Sequence, residues 1–379
     1  MPHTELRLRR GNIGTNFHFL IVVLRKFPMN SVLLLCRAGF ENECAAEIVA
    51  CAAARGIHGF VRAKAQSGLV IFETAEEQRG SAEFHALAAQ DFSFARQWFF
   101  VLGLLKDLPP TDRVEPIAQA LRAAPDLFSE VFLETPDTNL GKELSPLCRA
   151  LAKPLNSRLQ KAGLWNEQGA LRAHVCFIAS TSAYVGYARR DQGSPWVGGI
   201  PRLKFPRGAP SRSTLKLDEA LLHFLSPEQQ QKWLQPGMTV VDLGAAPGGW
   251  TFQFVRRHMR VTAVDNGAMD AALMESAVVE HVRADGFRYQ PPKRVDWMVC
   301  DMIEQPIRIA QLAARWLAQG WCQRTIFNLK LPMKKRYEET QRCLDAVRTT
   351  LDEAGVRYTL ACKQMYHDRE EVTVFVGRQ

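Results

Sequence analysis

The sequence predicts an α/β protein in two parts: a C-terminal unit on a Rossmann-like parallel sheet, and an α+β region ahead of it. Three observations support this. Thr239 to Trp250, TVVDLGAAPGGW, runs an apolar strand straight into a glycine-rich turn and a helix start. Short apolar strands after it end in acids, Asp265 and Asp301. Mixed strand and helix patterns fill the first half of the chain in an order that fits an α+β layer.

In chain order, residues 1 to 28 stand apart and are expected to be a disordered tail or the product of an alternative start. Their apolar run, Phe17 to Leu24, is broken by His18 and is far short of a membrane span. Residues 29 to 188 are expected to hold a ferredoxin-like piece joined to a second small module. Strands are expected at Ser31 to Cys36, Gly68 to Glu73, Ala95 to Gly103 and Glu130 to Thr135, and helices at Glu41 to Ala54, Val114 to Ala124 and Lys142 to Lys161. Residues 189 to 212 read as a Gly- and Pro-rich basic linker, and 213 to 379 as the Rossmann-like unit. A chain of 379 residues is long enough for about two to three domains with separate cores.

The glycine-rich turn narrows the cofactor. Gly244, Gly248 and Gly249 are expected to admit a ligand where a Cβ would collide. A P-loop would end Gly-Lys-Ser/Thr, whereas this turn ends Gly-Gly-Trp-Thr, and the dinucleotide pattern G-x-G-x-x-G is absent. The remaining reading is a loop for S-adenosylmethionine, lined by Ser213, Gly244, Ala246, Pro247, Gly248 and Gly249. Asp265 stands where an acid accepts ribose hydroxyls. Asp285 lies in a turn suited to an exocyclic amine, and Asp301 ends the strand Val295 to Cys300, where open α/β sheets bind ligands. Any one of these acids alone also reads as a turn or N-cap residue.

Two lysines add chemistry. Lys330 lies in the short apolar strand Ile326 to Leu331 and is expected to project into the same crevice. Lys216 opens the helix before the glycine-rich strand, and Asp368 to Val376 reads as a final strand containing Glu371. Lys216, Asp301, Lys330 and Glu371 thus stand in the order of the Lys-Asp-Lys-Glu tetrad of ribose 2′-O-methyltransferases. The segments RSTLKLDE (Arg212 to Glu219), DLGAAPGGW and Glu371-Val372 before a β run resemble the FtsJ-type RNA methyltransferase domain. FARQWF (Phe94 to Phe99), GIPRLKFP (Gly199 to Pro206), VCDM, FNLKLPMKKRYEE and YHDREEVTV resemble a bacterial family that 2′-O-methylates one cytidine of 23S ribosomal RNA. That resemblance runs from about Met29 to Val376. It implies an S-adenosylmethionine-dependent, monomeric enzyme of the cytoplasm that carries a THUMP-like RNA-binding module.

The chemistry follows from the residue types. The methyl group of S-adenosylmethionine is already electrophilic, so the enzyme must align an oxygen behind it and remove that oxygen's proton. A lysine of ordinary pKa about 10.4 is protonated at neutral pH, so Lys330 acts as base only if its pKa falls. Burial and the neighbouring cation Lys216 favour the fall, and Asp301 opposes it. Asp301 is therefore expected to orient Lys330 and the methyl group, and Glu371 to fix Lys216 or the ribose. The plainer reading makes both lysines surface residues and Glu371 an edge-strand charge. Amino-group methylation is disfavoured because Asp301-Met302-Ile303-Glu304 replaces the expected Asn/Asp-Pro-Pro-aromatic turn. Cytosine C5 methylation needs a nucleophilic cysteine, and Cys300, on an apolar strand, reads as structural.

Net charge +9 and clustered cations point to a nucleic acid, without selecting RNA over DNA. Arg189, Arg190, Arg202, Lys204, Arg207 and Arg212, interleaved with Trp196 and Phe205, suit phosphate contacts and base stacking together, and Lys334, Lys335 and Arg336 follow the Lys330 strand. A 2′-hydroxyl nucleophile selects RNA over DNA. The nine cysteines form no C-x-x-C pair, so no metal site is expected, and their odd number suits a reducing compartment. His367 reads as structural or as an RNA-positioning group. Two other classes stay open: a catalytically silent RNA-binding ribosome-assembly factor, and a nicotinamide-dependent oxidoreductase, which the broken glycine pattern disfavours.

Overall fold

The computed structural model describes residues 24–26, 31–75, 82–87 and 92–379. The expectation for residues 1 to 28 lies outside these except at 24–26. The N-terminal region contains β1 (Leu24–Lys26), β2 (Ser31–Cys36), α1 (Glu41–Ala53), β3 (Gly59–Ala63), β4 (Leu69–Thr74), α2 (Ala82–Ala86), β5 (Ala95–Leu105), α3 (Val114–Leu121), β6 (Phe128–Glu134), α4 (Asn139–Lys161), β7 (Leu171–Ala179) and β8 (Ser182–Arg189). The C-terminal region contains α5 (Thr214–Phe224), α6 (Pro227–Trp233), β9 (Thr239–Leu243), α7 (Gly249–Val255), β10 (Arg260–Val264), α8 (Ala271–Met274), β11 (Val279–Val282), β12 (Val295–Cys300), α9 (Pro306–Ala318), β13 (Cys322–Lys330), α10 (Arg336–Glu353), β14 (Tyr358–Lys363) and β15 (Glu371–Arg378).

The N-terminal strands form one sheet in the order β3-β4-β2-β5-β8-β7-β6, with β1 also paired to β5. Strand β5 is buried along its whole length and joins the two halves, pairing with β2 on one side and β8 on the other. The β7–β8 hairpin, which the sequence reading did not anticipate, is almost fully buried.

The second sheet has the order β11-β10-β9-β12-β13-β15-β14. Strands β9 to β13 are parallel, while β15 runs antiparallel to both β13 and β14. Because side chains alternate across a strand, neighbours enter different cores. Val240, Trp297 and Ile326 pack with Leu217, Leu221 and Phe254 on the α5–α7 face. Val241, Met298 and Phe327 pack with Leu312, Trp316 and Val347 on the α9–α10 face, in a cluster continuous with the N-terminal core. Each large side chain buried this way contributes about 1.5–3 kcal/mol. The fold class expected from the sequence is therefore the one observed.

The two regions are tied directly. Arg37 donates to the Asp368 carbonyl at 2.8 Å, and buried Arg96 donates to the Met365 carbonyl at 3.2 Å while pairing with Asp137 at 3.0 Å. Gln364 N–H donates to the Ser93 carbonyl at 2.7 Å. Arg336 links Glu43 at 3.6 Å and Glu370 at 2.6 Å. The turn 364–368 is thus built partly on the N-terminal sheet.

Candidate active site

The strand order reverses between β10-β9 and β12-β13, which opens a crevice at the carboxyl ends of β9 and β12. The glycine-rich turn leaves β9 there, and Asp301 follows β12. Gly244 and Gly248 adopt φ of 76° and 117°, in the left-handed region that favours glycine. To the ligand clearance that the sequence predicts for these glycines, the structure adds crowding by protein neighbours. A Cβ at Gly244 would collide with Met302, one at Gly248 with Leu273, and one at Gly249 with the hydroxyls of Ser213 and Ser211. The turn is thus also fitted to its own protein packing. Ser213 is consequently held against the α7 start, with its hydroxyl 2.6 Å from that of Ser211.

Asp265, after β10, accepts Ala246 N–H at 3.0 Å on one carboxylate oxygen and Gly267 N–H at 2.7 Å on the other. It fixes the turn, and each oxygen retains a lone pair for a further donor. Asp285 accepts Phe287 N–H at 2.8 Å and is otherwise exposed beside Arg288 at 3.6 Å. Acceptor carboxylates at these two places fit the hydroxyl and amine donors of an adenosyl group, so the residues match the expected cofactor chemically. Asp242, beneath the turn, is fully buried and accepts from Thr251 Oγ1 at 2.7 Å.

Four separate elements converge on one charge cluster. Antiparallel pairing sets Lys330, at the end of β13, opposite Glu371, at the start of β15. Lys330 Nζ contacts both Asp301 Oδ1 and Glu371 Oε2. Lys216, from α5, contacts Glu371 Oε1 and lies 3.4 Å from Asp301 Oδ2. Burial pulls the Lys330 pKa down, yet Asp301 and Glu371 together outweigh it, and the result is raised above the ordinary lysine value. The fall that a base requires is therefore not present in the protein alone.

Behind the cluster lie polar residues that the sequence reading missed. Asn328 Nδ2 donates to Asp301 Oδ1 at 3.0 Å, and Thr373 Oγ1 lies 2.8 Å from Asn328 Oδ1 and 3.0 Å from Asp368 Oδ2. Glu219 holds the adjoining turn, accepting Tyr366 N–H at 2.8 Å and His367 N–H at 3.0 Å and lying 2.7 Å from His367 Nδ1. His367 is thereby anchored on one ring nitrogen.

A cleft of about 790 Å³ leads from Lys216 and Glu371 to the N-terminal region, with Arg37, Lys142, Arg212 and Arg369 along it. Of these cations only Arg212 had been picked out from the sequence, because the others come together only in three dimensions. Arg202 approaches the cleft through the ring of Tyr366, 5.9 Å from its guanidinium. Arg189, Arg190, Lys204, Arg207, Lys334 and Lys335 are exposed, with Arg189 paired to Asp191 at 3.2 Å. Arg336 is turned into the protein by its two acidic partners. Cys300 is buried and its thiol is pushed up to about 12 by that burial, which suits packing rather than nucleophilic attack. Among the described residues no cluster of His, Cys, Asp or Glu is arranged to hold a metal, and no helix is long and apolar enough to cross a membrane.

Comparison with known proteins places this geometry. Residues 29–99 match the RlmM ferredoxin-like domain, 112–189 the N-terminal domain of ribosomal RNA large subunit methyltransferase M, and 209–351 the FtsJ-like methyltransferase. The ribosomal RNA large subunit methyltransferase M of Citrobacter koseri is 50% identical over 354 residues, covering 92% of this chain and 97% of that protein. Its counterpart in Mannheimia succiniciproducens is 48% identical over 360 residues, covering 92% and 99%.

Proposed function

The chain belongs to the ribosomal RNA large subunit methyltransferase M family, and on that premise we propose that it 2′-O-methylates one cytidine of 23S ribosomal RNA with S-adenosylmethionine as donor. The observation that carries this reading is the convergence of Lys216, Asp301, Lys330 and Glu371 beside the glycine-rich turn. When bound, S-adenosylmethionine supplies an electrophilic methyl group. Ser213, Gly244, Ala246, Pro247, Gly248 and Gly249 would line its site, with Asp265 toward its ribose and Asp285 toward its amine. A monomer suffices, since one chain carries all four residues, and we place it in the cytoplasm with its ribosomal RNA substrate.

The protein's own groups then have separable tasks. Lys330 Nζ takes the proton of the 2′-hydroxyl. It is held protonated in the free protein by two carboxylates, so it acts as base only after giving that proton up to water, a loss favoured when the incoming hydroxyl displaces Glu371 from it and Glu371 keeps only Lys216. Asp301 holds Lys330 in line, and positioning of this kind accounts for much of the rate. Arg37, Lys142, Arg212 and Arg369 along the cleft, with Arg202 at its side, bind phosphates and draw the RNA toward the cluster. The exposed cations Arg189, Arg190, Lys204, Arg207, Lys334 and Lys335 extend that field.

Transfer of labelled methyl to protein-free 23S ribosomal RNA, mapped by resistance to alkaline cleavage, tests the reading. One alkali-resistant ribose, lost in Lys330→Ala, is the expected result. Label on a base would overturn it.

A further inference from the structure

Asn328, Thr373 and Asp368 are completely buried and connect the Asp301 carboxylate to the turn before β15. The hydrogens along this connection can be counted. Asp301 is a carboxylate between two ammonium groups and only accepts, so the amide group facing it is the NH2 of Asn328. The Asn328 carbonyl therefore faces Thr373, and it too only accepts. The single hydrogen of the Thr373 hydroxyl is used there. That leaves the 3.0 Å contact between Thr373 Oγ1 and Asp368 Oδ2 without a hydrogen unless Asp368 brings one. Two buried oxygens at that distance with no proton between them would repel.

We propose that Asp368 stands in the folded protein as a neutral acid and donates its proton to Thr373, so that a one-way chain, Asp368 to Thr373 to Asn328 to Asp301, positions the catalytic carboxylate. Asn328, Thr373 and Asp368 are thus positioning residues, acting through Asp301. The surroundings agree. Burial and then the Glu371 carboxylate push the Asp368 pKa well above the carboxylate range. Glu219 on α5 adds to the rise, and Lys216 and the Met365 N–H bond oppose it. Arg37 reaches only the main-chain carbonyl of Asp368. Asp368 Oδ1 has no hydrogen-bond partner, a smaller penalty for the carbonyl of a neutral acid than for an ionised carboxylate.

The activity arm of the test rests on the methyltransferase reading, and the spectroscopic arm does not. Infrared difference spectra of wild type against Asp368→Asn should show a protonated-carboxyl band at neutral pH that fades on alkaline titration. Subtraction of this variant separates the band from any due to Asp242. Thr373→Val should lower kcat on the order of ten- to a hundredfold, with cofactor affinity and RNA KM within about threefold, while Thr373→Ser restores kcat. Absence of the band, or Thr373→Val within about twofold of wild-type kcat, would overturn the proposal. If Thr373→Val does not fold, the band and Thr373→Ser still decide. A band present in a protein that methylates no ribosomal RNA would sustain the neutral acid and remove the substrate reading instead.

Discussion

Lys216 and Lys330 share the Glu371 carboxylate, which holds the first on Oε1 and the second on Oε2, and both also meet Asp301. The Glu371 side chain is 6% exposed against 24% for Lys330, so the shared acid is the deeper member and the amines edge the cleft. With Asp301 the cluster contains two cations and two anions. Its charge balance is what keeps Lys330 protonated, and changing any member shifts that balance.

Glu371→Gln removes one of the two carboxylates that raise the Lys330 pKa. That pKa should fall, and the limb of the kcat profile that rises with pH should move to lower pH. Single-turnover methyl transfer across a pH series measures this. A limb that stays fixed or moves upward would separate it from Lys330.

Lys330→Ala leaves the glycine-rich turn, Asp265 and Asp285 untouched. Methyl transfer should drop by about two to four powers of ten, as loss of a general base does, while cofactor affinity measured by calorimetry stays within about threefold. Loss of cofactor binding would show that Lys330 builds the donor site rather than acting on the nucleophile.

Much of this site was legible in the sequence because its signals are local. An apolar strand meeting a glycine-rich turn gives β9 and α7, and acids at strand ends give Asp265 and Asp301. The pairing of Lys330 with Glu371, which the sequence reading assigns to Lys216 or the ribose, depends on the antiparallel return of β15. Other features depend on contacts between distant segments. Met302, Leu273 and Ser213 crowd the glycines of the turn, which residue order does not show. The raised Lys330 pKa requires both carboxylates to touch one amine, which residue order does not show. Asn328 and Thr373 sit in apolar strand runs where a polar residue reads as incidental, and only the fold brings them together.

The cleft cations should govern RNA affinity through counterion release. Arg212→Ala and Lys142→Ala should each reduce the slope of log affinity against log salt by about 0.7 for a single-stranded segment. Arg336→Ala should leave the slope unchanged, because Glu43 and Glu370 already occupy that guanidinium. Filter binding across a salt series distinguishes them. An equal slope loss in all three variants would mean that the cleft is not the RNA path.

Asp242 gives the protein a pH-dependent stability of unusual sign for an acid. Burial pushes its carboxyl up to about 7, with Thr251 pulling it down and Asp301 adding to the rise. The unfolded chain ionises the same group near the ordinary value of about 3.9. Between these values the unfolded state releases a proton that the folded state keeps, so this residue's contribution to stability declines as pH rises from about 4 and levels off above about 7. Asp242→Asn keeps an oxygen acceptor for Thr251 and has no proton to lose. Relative to wild type, it should therefore be a few kcal/mol more stable at pH 8 than at pH 4. Urea unfolding at the two pH values measures the gap, and a difference independent of pH would show that Asp242 ionises in the folded protein as it does in the unfolded chain.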